Sequence, residues 1–158
     1  VSRTIGSHVA VLTMATAVAI VLGTVVTGAG PHAGDEEARR FGFDIGRTAQ
    51  LHSVSVWCAV GVGASLLWRL RSRPDDRAVL DGPLVAWCCV AMMQGAVGYL
   101  QYFTGVPAAL VAVHVAGATV LWGVTVWLVA VLRGRTGAIG QPDSHGSTSS
   151  VLAQASTV

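Results

Sequence analysis

Lysine is missing from the chain, so all ten basic residues are arginines. Charge of either sign is scarce: only 11% of the residues are Asp, Glu, Lys or Arg. A water-soluble domain carries about 25%, so this chain has too little charge to cover a surface facing water. The net charge of +2 is too small to attract nucleic acid. Cysteine is sparse too, and all three residues (Cys58, Cys88 and Cys89) lie within apolar runs. No disulfide framework follows from that placement, adjacent cysteines strain disulfide geometry, and buried free thiols are the expectation. What fills the chain is apolar: 53% of it is hydrophobic, which points to a membrane protein.

A transmembrane helix needs roughly 20 mainly apolar residues. Residues 9–29 form one such run and residues 48–68 a second. Residues 82–132 contain neither acid nor arginine and are too long for one span. They divide at Thr104-Gly105-Val106-Pro107, a Gly/Pro turn signal, into spans at 83–103 and 108–132. The pattern predicts an all-α, polytopic four-helix bundle over residues 1–135. The first run is longer than the apolar stretch of a signal peptide and three further spans follow it, so it reads as a span. Arg3, Arg69, Arg71, Arg73, Arg77, Arg133 and Arg135 fall on one side, and Arg39, Arg40 and Arg47 on the other. The positive-inside rule then places both termini and the 69–82 loop in the cytoplasm of a multi-pass cell-membrane protein. Residues 136–158, rich in Gly, Ser and Thr, have the composition of a disordered cytoplasmic tail.

The spans contain no Asp or Glu, but His52 and His114 stand inside the second and fourth. Both of these spans begin on the outer side, and both histidines lie roughly 6–9 Å below that boundary at 1.5 Å per residue. An ionisable residue inside a membrane is a functional-site hypothesis by default. A structural zinc site wants four ligands, and a catalytic one three. Cys58 lies about 9 Å along the helix axis from His52, while Cys88 and Cys89 start from the opposite side. A haem needs only two axial ligands on opposite faces of a flat apolar ring, and helix bundles supply such ligands from facing positions. Small residues on the histidines' own faces (Ser55, Ala59 and Gly63; Gly117 and Ala118) leave room for a macrocycle. The same stripes equally suit close helix packing with no cofactor.

Other candidates lie nearer the outer surface. Gln94, Gln101 and Tyr102 share one side of the third span, and Gln101 and Tyr102 are placed to bond haem propionates. Arg39, Arg40 and Arg47 could pair with the same carboxylates. His32 stands in the outer loop beside Asp35, Glu36 and Glu37, within reach of a haem edge or redox partner if not simply solvated. The five tryptophans read as interface or packing residues. The two outer turns, VVTGAGP at 25–31 and YFTGVP at 102–107, echo one another. Each leads into a helix bearing a histidine, which suggests two helix pairs in parallel orientation.

Three blocks, GTVVTGAGPHAGD, then QLH, then QGAVGYLQYFTGVPAALVAVHVAGA, resemble the C-terminal half of the haem A synthase family over about residues 10–132. That resemblance implies two four-helix halves in one enzyme, which oxidises a methyl group of haem O to the formyl group of haem A. It implies a b-type haem held between His52 and His114, haem O as substrate, and haem O synthase as a partner. The electron donor is not implied. The chain has about half the family's length and starts with Val, as a fragment or half-length protein would. A separate N-terminal half would complete the enzyme, whereas a homodimer could rebuild an eight-helix arrangement but should be poorly active without the family's Glu. The family's catalytic half carries a Glu three residues before its first helix histidine, where this chain has Ala49. The resemblance therefore assigns this chain the electron-transfer haem site and no catalytic residue. A small membrane b-type cytochrome, or a haem-free assembly protein, would carry the same spans.

Overall fold

The computed structural model describes residues 2–31 and 39–138. Four helices account for nearly all of them: α1 (Arg3–Ala29), α2 (Ile45–Leu70), α3 (Pro74–Phe103) and α4 (Ala108–Ala138). Each is long and apolar enough to cross a membrane. At 1.5 Å per residue they run to about 40 Å or more, beyond a hydrocarbon core of about 30 Å.

The helices overrun the apolar spans. α1 starts at Arg3, where the Ser2 hydroxyl accepts from the Ile5 N–H at 3.4 Å. α2 starts at Ile45, where the Asp44 carboxylate accepts from the Arg47 N–H at 2.7 Å. These caps satisfy backbone donors that the start of a helix leaves orphaned. The largest departure is in the expected 69–82 loop. Residues 74–82 are helical, and only Arg71–Arg73 separate α2 from α3. Pro74 at the first helical position loses no intrahelical bond, and Asp75 and Asp76 complement the positive helix end. Hydropathy marks where a helix enters lipid, not where its hydrogen bonds begin. Pro83 lies inside α3 and has no N–H to give to the preceding turn.

The 104–107 connection is a turn, as its Gly and Pro predict. Gly105 takes φ +78°, and Val106 follows at φ 58°. A β-branched residue is rarely found there. The Val106 N–H donates to the Gln101 carbonyl at 2.7 Å, tying the turn to the end of α3.

The helices pack in a ring. α1 pairs closely with α2 and α3 with α4; thinner contacts join α2 to α3 and α1 to α4, and the diagonal pairs do not touch backbone to backbone. The large buried side chains gather at one end. Ile5, Val9 and Leu12 of α1 meet Leu66 and Leu70 of α2, Leu80, Leu84 and Trp87 of α3, and Leu128 of α4. The start of α1, the end of α2, the start of α3 and the end of α4 therefore share one side, the side of the seven arginines. Trp87 fixes this core. Its ring lies against Gly63, where an added Cβ would stand 2.8 Å from Cζ3, and its indole N–H donates to the Thr125 hydroxyl at 3.1 Å. Gly63 thus makes room for Trp87, not for a macrocycle as the sequence suggested.

The exterior is apolar, with Met14, Trp57, Trp68, Met92, Met93 and Phe103 all more than 60% exposed, a surface suited to lipid rather than water. The three thiols are free, but only Cys88 is half-buried. Cys58 and Cys89 are exposed, because an apolar run in a four-helix ring turns much of its circumference outward. The tail from 139 onward lies outside the described residues.

Replacing Trp87 with Ala should cost about 3 kcal/mol through the cavity it leaves. Thr125→Val, which removes only the indole's acceptor, should cost about 1 kcal/mol. Thermal unfolding of both variants in detergent, followed by circular dichroism, checks this order.

Candidate cofactor site

His52 and His114 sit on α2 and α4, the diagonal helices whose backbones stay apart, and meet across the middle of the ring. Their ring centroids are 6.4 Å apart and their planes 89° from parallel. His52 is the eighth residue of α2 and His114 the seventh of α4. Because both helices start from the same end, 1.5 Å per residue gives nearly equal depth. Both rings are half-buried.

Each ring rests on a glycine of its paired helix. A Cβ on Gly23 of α1 would stand 3.1 Å from His52 Cε1, and a Cβ on Gly98 of α3 would stand 3.3 Å from His114 Cε1. The two pairs thus repeat one device, a histidine laid against a glycine of the partner helix.

The rings differ in their hydrogen bonds. His52 Nδ1 lies 2.9 Å from the Ala19 carbonyl oxygen. A carbonyl only accepts, so Nδ1 carries the proton and Nε2 keeps its lone pair. His114 Nδ1 is buried with no hydrogen-bond partner. The contact at His114 is made through its backbone, because the Gln94 amide donates to the His114 carbonyl at 2.8 Å. The Gln94 side chain lies over Gly117, where a Cβ would fall 2.6 Å from Oε1. Gly117, expected to make space for a macrocycle, makes space for Gln94.

The pair was tested as a set of axial haem ligands. A metal–imidazole bond of about 2 Å, with each ring centre about 1.1 Å behind its nitrogen, separates two opposed imidazole centroids by about 6 Å across one metal. The observed centroid separation of 6.4 Å is of that order. His52 has a free Nε2 and the backbone partner that metal-bound histidines usually keep. His114 carries an orphaned buried ring nitrogen, which a structure leaves only for a reason. None of the largest fully buried side chains belongs to residues within two positions of either histidine. Among the described residues no three of His, Cys, Asp and Glu come together, so the donor set is two imidazoles. The donor count suits a two-ligand group, while Gly63 and Gly117, the positions expected to leave room for a macrocycle, are covered by Trp87 and Gln94. Two apolar surface grooves, one lined by Val11, Met14 and Cys58 and the other by Val60, Cys88 and Met92, include neither histidine.

The remaining candidates lie apart from the rings. Gln101 is half-buried near the outer end of α3, and its Oε1 has no partner. Tyr102 is exposed and packs edge-on against Phe103, centroids 5.4 Å apart. Arg47 is exposed and gives its backbone N–H to Asp44. Among the described residues no hydrogen bond or ring contact joins any of these three to His52 or His114. Arg39 and Arg40 are exposed, while His32, Asp35, Glu36 and Glu37 lie outside the described residues. Sequence reasoning sought small residues on the histidines' own helices and missed Ala19, Gly23 and Gly98 on the neighbours. It also missed the Trp57 indole N–H donating to the Tyr99 hydroxyl at 3.2 Å, which joins α2 to α3.

No family model, curated protein or solved structure matches the chain significantly.

Gly117→Ala should expel the Gln94 amide and cost about 1 kcal/mol, the worth of the lost bond to the His114 carbonyl. In a Gln94→Ala background the same change should cost less than about 0.5 kcal/mol, because the two residues share one space. Thermal midpoints of the two single variants and the double variant measure that coupling.

Proposed function

We propose that the chain is a membrane-embedded haem protein that holds a b-type haem between His52 and His114 and serves electron transfer within haem A synthesis. The observation that carries the haem reading is the meeting of two imidazoles 6.4 Å apart on diagonal helices. Assignment to haem A synthesis rests on the sequence blocks around these histidines, which resemble the C-terminal half of the haem A synthases. In this reading the arginine-rich end, carrying both termini, faces the cytoplasm of a cell membrane, and the histidines lie nearer the outer side.

A bound haem would supply one-electron chemistry. The protein's own part is to hold it. His52 and His114 would hold it, one imidazole from each helix pair, an arrangement that suits electron transfer. The Ala19 carbonyl sets the tautomer of His52. Gly23 and Gly98 let the two rings lie flush against α1 and α3. Gln101, Tyr102 and Arg47, toward the outer end, are the groups proposed to meet the propionates, with the Gln101 amide N–H, the Tyr102 hydroxyl and the Arg47 guanidinium as the donors. Oxidation of the haem O methyl group belongs to a companion half, because Ala49 leaves this chain, and any second copy of it, without the family's carboxylate. The same Ala49 favours a second reading, a small b-type cytochrome that carries electrons without making haem A.

A reduced-minus-oxidised spectrum of the purified protein tests the haem reading. A low-spin b-type band should be present in the wild type and absent from both His52→Ala and His114→Ala. An unchanged band in both variants would overturn the ligand assignment. Identifying the haems extracted from cells that express the chain with haem O synthase separates the two functional readings. Haem A indicates the enzyme, and haem O without haem A indicates the cytochrome or a missing N-terminal half.

A further inference from the structure

The arginine-rich end carries more charge than it can neutralise. Among the described residues it holds seven arginines against three acids, Asp75, Asp76 and Asp81. Arg77 pairs with Asp81 at 3.5 Å, and positive charge remains in excess even if every acid takes a partner. α2 is 26 residues long, about 39 Å at 1.5 Å per residue, against a hydrocarbon core of about 30 Å. Its end therefore reaches the headgroup layer, where the available anions are lipid phosphates. One arginine stands there at the mouth of an apolar groove. Val60, Ala64 and Leu67 of α2 and Cys88, Ala91 and Met92 of α3 line that groove. Positions 60, 64, 67 and 71 follow the i, i+4, i+7, i+11 spacing of one helix face, and Arg71 keeps helical backbone angles, φ −57° and ψ −33°. Arg71 thus continues the groove-lining stripe past its last apolar member. Its guanidinium carbon lies 5.1 Å from the centre of the exposed Trp68 ring. Stacking engages the face of a guanidinium and leaves its N–H edge for an acceptor. The turn that carries Arg71 is fixed: the Arg71 and Arg73 N–H groups donate to the Trp68 and Leu70 carbonyls at 3.2 and 3.0 Å, and Leu70 is fully buried.

From this juxtaposition we infer that the α2–α3 groove is a binding site for an anionic phospholipid, with an acyl chain along the groove and the headgroup phosphate on Arg71. From Leu67 to Val60 the groove runs about 10 Å along the helix axis, and its apolar lining offers nothing to a polar ligand. A free phosphate ion would use Arg71 and leave the groove empty, whereas a phospholipid uses both. The surplus of arginines selects a headgroup that is itself anionic over a zwitterionic one, whose amine the same arginines repel. Neither histidine lines the groove, so the site stands or falls independently of any group held between them.

Native mass spectrometry of the purified protein in detergent, offered phosphatidylglycerol and phosphatidylcholine of equal chain length, tests the site. The wild type should retain phosphatidylglycerol at least about fivefold better, the worth of one arginine at a headgroup. Arg71→Gln should lose about that factor, whereas Arg39→Gln with Arg40→Gln, at the opposite end, should leave the preference unchanged. Trp68→Leu, which keeps an apolar side chain but not the stack, should lower it about twofold. Ala64→Phe, which fills the groove, should weaken retention of both lipids together. Inorganic phosphate at the same concentration should displace neither. Equal retention of the two lipids by the wild type, an Arg71→Gln variant with the wild-type preference, or displacement of the lipid by inorganic phosphate would each sink the proposal. If circular dichroism shows that Arg71→Gln has not folded, the other two variants decide, and unchanged retention in both Trp68→Leu and Ala64→Phe refutes the site.

Discussion

Everything specific in this structure depends on two imidazoles reaching across the diagonal of a helix ring. α2 and α4 do not approach one another through their backbones. His52 and His114 bridge that distance only because each is long enough and each has a glycine beside it to lie on. A larger residue at Gly23 or Gly98 would push the ring out of the space between the pairs. An imidazole in an apolar bundle also needs a reason to stay there, since burying a polar group without a partner costs free energy. For His52 the Ala19 carbonyl supplies one. For His114 the described protein atoms supply none at Nδ1.

The two ends of the bundle divide the work. At the arginine-rich end, Leu, Ile, Val and Trp side chains from all four helices interlock around Trp87, whose indole bond to Thr125 fixes one orientation. In a lipid setting, where water does not drive helices together, such close packing and interhelical hydrogen bonds hold a bundle. The histidine end has no comparable cluster of large buried residues. Its contacts run within the pairs α1–α2 and α3–α4, and the thinner joints between pairs leave the centre to the two rings.

Much of the fold was legible because apolar runs, Gly/Pro turns and arginine placement each report on one local requirement. The ends of α1 and α3 and the start of α4 fall where the runs break, at Ala29, Phe103 and Ala108. The helical stretch of residues 74–82 was not legible from hydropathy, since a polar turn capped by Pro74 is as good a helix start as an apolar one. Cys58 and Cys89 read as buried because an apolar run does not say which of its faces meets a neighbour. The small-residue stripes misled for the same reason. Gly63 and Gly117 are small for Trp87 and Gln94, two protein side chains whose approach only the assembled bundle reveals.

By itself the sequence determined that there are four long apolar helices, that the third and fourth are divided by a Gly/Pro turn, and that two histidines share one depth. These follow from residue type and the fixed rise of a helix. The tertiary structure alone decided that the histidines face each other across the diagonal, that each rests on a glycine of its partner helix, and that only His52 has a backbone acceptor. Which face of a helix meets which neighbour depends on how all four pack at once, and no single run of residues encodes that.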